Sequence, residues 1–128
     1  TIVAGSLDTQ TNSLRYVVGA QQPQPILITG GKAQYLAGSG KPVGIFEEAN
    51  WRIEELSLPE DFAFVLLSDG VFDLIPEKDL ALKEQKLLSY LEKGSDRIDN
   101  LKEKIFVDYV EAPQDDISVL LLSRGMVK

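Results

Sequence analysis

The feature that most constrains the fold of this chain is the apolar run Phe62-Ala-Phe-Val-Leu-Leu67, which stops abruptly at Ser68-Asp69-Gly70. It is the longest such run in the sequence. Its length suits a strand and falls far short of the ~20 residues that a membrane-spanning helix needs. It is apolar on both faces, as expected for a central strand covered from above and below. Such a strand demands a layered fold that packs against both of its faces. The 128 residues suffice for one domain. With 44% apolar and 26% charged residues, a core can form and wholesale disorder is not expected.

The segments around this strand supply the layers. Thr1–Leu7 and Leu14–Val18 are β-prone runs flanking the turn-forming cluster Asp8-Thr-Gln-Thr-Asn-Ser13, which predicts an antiparallel hairpin. Pro23 and Pro25 interrupt regular structure before Ile26–Ile28, and Gly30-Gly31 reads as the turn of a second hairpin to Ala33–Leu36. Ala37–Gly44 holds three glycines and a proline and reads as a flexible connection without the Lys-Ser/Thr ending of a phosphate-binding loop. Trp51–Leu58 partly alternates, with Trp51, Ile53 and Leu58 as inward candidates and Trp51 read as a packing residue. The period then changes. Pro76 suits a first helical turn, and Glu77–Leu91 places Leu80, Leu87, Leu88 and Leu91 on one stripe. The lysines and glutamates between those leucines read as a solvated helix face. Gly94 and Ser95 suit a C-terminal and an N-terminal cap, and a second helix carries Ile98, Leu101, Ile105 and Tyr109. Ile117–Ser123 closes the chain as another buried strand. Strands, then helices, then a strand predict an α+β fold with a mostly antiparallel sheet and two helices inserted before the last strand.

Composition narrows the chemistry. There is no cysteine and no histidine, so thiolate catalysis, imidazole ligands and histidine-based triads are excluded. Twenty acidic against 13 basic residues give a net charge of −7, which argues against nucleic acid or an anionic membrane as the main partner. No basic segment followed by an apolar one opens the chain, so a cytoplasmic setting is the expectation. The first residue is Thr1, which predicts a start inside a longer protein or after processing.

Two acidic motifs remain as carriers of chemistry. Asp69-Gly70 follows the central strand, and Asp115-Asp116 precedes the last one. An aspartate at the end of a buried strand projects from a stiff scaffold, and Gly70 lets the chain turn away. If the two strands are neighbours, their carboxylates converge, and concentrated negative charge calls for a proton or a cation. Hard divalent ions such as Mg²⁺ or Mn²⁺ take oxygen ligands of this kind. The plainer alternative is that Asp-Gly is a common turn pair and that Asp-Asp merely ends a loop.

The order Leu7-Asp-Thr, Leu14-Arg-Tyr, Lys41-Pro-Val-Gly-Ile45, Leu66-Leu-Ser-Asp-Gly-Val-Phe-Asp73, two helices and Gln114-Asp-Asp-Ile-Ser-Val-Leu-Leu121 resembles the C-terminal half of the metal-dependent PPM-type (protein phosphatase 2C-like) serine/threonine phosphatases. It is most similar to their bacterial branch that includes SpoIIE and RsbU. The resemblance implies a partial PPM-type β-sandwich across residues 1–128, with its upstream strands missing. It implies that Asp69 and Asp115 bind metal, with Gly70 and Asp116 in support. It also implies a two-metal Mn²⁺ or Mg²⁺ centre in the complete domain, whose activated water attacks a phosphoserine or phosphothreonine protein without forming a phosphoenzyme. Asp73 and Asp108 are expected to be surface or capping carboxylates.

Two departures from the family pattern matter. Its amino-terminal Asp-x-x-Gly-His-Gly type motif is absent, so the chain carries about half a metal site. The family's Asn-Ala-Gly-His is replaced by Val18-Gly-Ala-Gln21, in which Gln21 cannot act as acid or base. Two function classes therefore stand side by side. One is a phosphatase domain of bacterial signal transduction, present here as an inactive fragment. The other is a degenerate output module of a response regulator, of the RssB-like kind, that binds a sigma-factor regulator or similar protein. A missing half would leave sheet edges and apolar faces open, which predicts self-association of the piece.

Overall fold

In the computed structural model, which describes residues 1–92, 98–105 and 113–125, the first hairpin is β1 (Ile2–Asp8) and β2 (Ser13–Gly19). Its turn is organised by Asp8, whose Oδ1 accepts from the N–H groups of Gln10 and Thr11 at 2.8 and 3.2 Å. Those two donors hold the Asp8 carboxyl below the usual carboxylate range. The second hairpin is β3 (Ile26–Thr29) and β4 (Lys32–Tyr35). Gly30 and Gly31 turn it with φ of 55° and 77°, the paired positive values of a turn that matches strand twist. Then follow β5 (Glu54–Ser57), β6 (Phe62–Leu67), a 3-10 turn over Asp69–Leu74, α1 (Leu80–Leu91), α2 (Ile98–Ile105) and β7 (Val119–Arg124).

The strands form two antiparallel sheets, ordered β1-β2-β5 and β4-β3-β6-β7. This is the expected α+β arrangement with two helices before the last strand. Strand β6 sits inside its sheet and divides its side chains between two cores. Phe62 and Phe64 face the three-stranded sheet, where Leu14, Tyr16, Val18, Leu27, Leu36 and Leu58 meet them. Ala63, Val65 and Leu67 face the helices and pack with Ile26, Ile28, Val71, Leu74, Leu87, Leu91 and Ile105. Each large apolar side chain buried this way contributes about 1.5–3 kcal/mol. The central strand is therefore covered on both faces, as its composition implies.

Four expectations are corrected. The strand expected over 51–58 is confined to Glu54–Ser57, which among the described residues pairs only with β2, and Ile53 lies ahead of it and is 57% exposed. Helix α1 begins at Leu80 rather than Glu77, because Asp79 caps it by accepting from Ala81 and Leu82 N–H at 2.8 and 3.4 Å. Leu80 shares the stripe of Leu87 and Leu91 but is 47% exposed, since core packing starts only at Leu87. Strand β7 is not buried on both faces. Leu120 and Leu122 are 55% and 41% exposed, because among the described residues β7 is an edge strand whose partner is β6 alone. The charged face of α1 is also not wholly solvated. Lys83 Nζ donates to Phe72 O at 2.6 Å, and Tyr35 Oη donates to Glu84 O at 2.9 Å, fastening the helix to the 3-10 turn and to β4. Gly94, Ser95, Asp108 and Tyr109, with the side chains of Ile98 and Leu101, lie outside the described residues.

Candidate metal centre

Strands β6 and β7 are sheet neighbours, paired up to Leu67↔Val119. Ser68 carries the pairing one step further. Its N–H donates to Ser118 O at 3.0 Å, and its Oγ accepts from Ser118 N–H at 2.8 Å and donates to Asp116 O at 3.1 Å. Asp69 follows this junction on one strand, and Asp115-Asp116 precede it on the other. A second tie lies four residues beyond Asp69, where Asp73 Oδ2 accepts from Gln114 N–H at 3.1 Å. Asp73 is thus a surface carboxylate, one of the two roles expected for it, and it ties to a loop N–H rather than capping a helix.

Gly70 is buried against the same segment. A Cβ at this position would lie 3.2 Å from Asp115 O and 2.6 Å from Asp116 O, the latter closer than a side chain tolerates without a shift of the backbone. Glycine is what lets the 3-10 turn approach the backbone that carries the paired aspartates. Asp115 Oδ1 accepts from Asp116 N–H at 2.8 Å, which orients one of its two oxygens. The side chains of Asp69, Asp115 and Asp116 are exposed to solvent. Among the described residues, no three acidic side chains gather into one ion-binding group. The donor set has the hard-oxygen chemistry that Mg²⁺ or Mn²⁺ takes, and it fits part of such a site.

A cleft of about 370 Å³ opens beside the junction, lined by Gln21, Ser68, Asp69 and Ser118 and floored by Leu66 and Leu120. Gln21 does structural work here. Its Nε2 donates to Leu67 O at 2.6 Å, so the loop after β2 is tied to the end of β6. Val18 is buried in the core between the sheets, which accounts for an apolar residue there. The glycine loop that follows is strapped down rather than free. Ala37 O accepts from Tyr16 Oη, Gly38 O from Gln24 Nε2, Gly40 O from Ala20 N–H and Lys41 O from Trp51 Nε1. The contact beside the candidate site that sequence reasoning passes over is the hydroxyl of Ser68. The signal available for it is its place between an apolar strand and Asp-Gly.

Comparison with known proteins adds the family. The family model "Stage II sporulation protein E (SpoIIE)" matches residues 1–125. No curated protein sequence matches the chain. Among solved structures, the RsbU and RsbW domains of Rv1364c from Mycobacterium tuberculosis are 21% identical with a TM-score of 0.76, over 98% of this chain and 37% of that one. The PP2C phosphatase domain with a fragment of the regulatory domain of SpoIIE from Bacillus subtilis is 21% identical with a TM-score of 0.68, over 94% of this chain and 36% of that one. The phosphatase domain of SpoIIE from Bacillus subtilis, presoaked with Mn, is 20% identical with a TM-score of 0.65, over 99% of this chain and 57% of that one. These likenesses extend to the fold, and the chain spans between 36% and 57% of the lengths it matches.

Proposed function

The chain belongs to the SpoIIE family, and from that membership we propose that it forms the C-terminal portion of a bacterial signalling phosphatase domain and carries half of its metal site. The single observation that carries this reading is the Ser68–Ser118 junction, which joins chain positions within three residues of Asp69, Asp115 and Asp116. In this reading Asp69 and Asp115 supply carboxylate oxygens to Mn²⁺ or Mg²⁺. Gly70 and Asp116 support them, Gly70 by admitting the opposing backbone. A bound ion of this kind contributes an activated water and a polarised phosphoryl oxygen. The substrate class is a phosphoserine or phosphothreonine protein. Gln21 and Ser68 line the cleft beside Asp69.

The test is phosphate release from a phosphoserine protein by the complete domain. Asp69→Asn is expected to abolish the Mn²⁺-dependent rate. Turnover that survives this substitution would refute the assignment of Asp69.

A second reading is favoured by a specific observation. Gln21, which stands where the family carries an ionisable residue, spends its amide on Leu67 O and has no proton to transfer. In this reading the domain is a response-regulator output module that binds a sigma-factor regulator or a similar protein without turnover. A stable complex with such a protein, formed equally by the native domain and by Asp69→Asn, together with no phosphate release, would favour the module over the enzyme.

A further inference from the structure

We infer that Ser68 and Asp73 are positioning residues that act as a two-point clasp, fixing the Asp115-Asp116 segment against Asp69. The inference rests on the proposed metal reading and goes beyond it, because neither residue is offered as a ligand.

The geometry is reciprocal. Ser68 precedes Asp69, and its hydroxyl bonds twice to the opposite segment, accepting from Ser118 N–H and spending its one donor on Asp116 O. Asp73 lies at the other end of the 3-10 turn, and its Oδ2 takes Gln114 N–H. The two ties therefore bracket Asp115 and Asp116, one on each side. Between them Gly70 lies flush against the bracketed backbone. None of these contacts uses an oxygen of Asp69. The clasp leaves Asp69 free while it restrains the position of the neighbouring pair. A segment held only by its own backbone would have to be ordered whenever an ion binds, at a cost in conformational entropy. A segment already bracketed is ordered beforehand.

The test measures Mn²⁺ binding by titration and amide hydrogen exchange at Gln114 and Ser118, in the complete domain. Ser68→Ala and Asp73→Ala are each expected to speed exchange at the amide they release and to weaken Mn²⁺ by about tenfold or more, the range seen when supporting partners of metal ligands are removed. Ser68→Thr keeps the hydroxyl and Asp73→Asn keeps an acceptor oxygen, so each is expected to restore both readouts. Restoration separates positioning from a general loss of fold. If Asp69→Asn abolishes Mn²⁺ binding while Ser68→Ala and Asp73→Ala leave it unchanged, the clasp is overturned and the metal reading stands. If Asp69→Asn itself leaves Mn²⁺ binding unchanged, the metal reading falls and the positioning role falls with it.

Discussion

At the scale of single residues, the end of β6 shows how small side chains decide where charged ones can sit. Gly70 and Ser68 flank Asp69, and both are occupied with the opposite strand rather than with solvent. Substituting Gly70→Ala puts a methyl group 2.6 Å from Asp116 O, a contact that only backbone movement relieves. We expect a loss of about 1–3 kcal/mol on chemical denaturation, the usual cost of forcing an extra methyl group into a packed site. An unchanged denaturation midpoint would show that the 3-10 turn and the aspartate-bearing segment are less closely docked than described. Asp73 is instructive in a different way. Its side chain is exposed, yet it is tied to a residue 41 positions later in the chain. Nothing in the local sequence signals such a tie, because the partner is a backbone N–H and every residue but proline offers one.

At the scale of elements, local chemistry explains where the helices and strands start and stop. Helix α1 waits for Asp79 because that carboxylate satisfies two of the N–H groups a helix leaves unpaired. Asp79→Ala is expected to cost about 1 kcal/mol in thermal unfolding, and Asp79→Asn much less, since asparagine caps as well. The central strand, both hairpins and the helical pair were legible from apolar runs and turn residues. The burial of β7 was not. Val119–Arg124 contains three consecutive leucines and reads like β6, but burial depends on how many strands lie alongside, and that is a property of the sheet. At the site, the aspartates were legible because each sits at the end of an apolar run. The serine hydroxyl and the Gln21 amide were not, because their acceptors are main-chain carbonyls that carry no sequence signature.

At the scale of the whole molecule, the two layers differ in width, three strands against four. Leu120 and Leu122 lie on the four-stranded layer at its β7 edge, and Ile2 lies on the opposing edge strand β1. Exposed apolar side chains beside open strand edges favour association. We expect the isolated chain to show a concentration-dependent mass in light scattering, and the double substitution Leu120→Lys with Leu122→Lys to shift it toward the monomer. A monomeric mass across the whole concentration range for the native chain would remove this expectation. The bond from Gln21 Nε2 to Leu67 O has a consequence of its own, since it fastens the connection that carries the chain from one layer to the other to the end of β6. It pins that connection beside the strand end that bears Asp69, and so holds one side of the cleft in place.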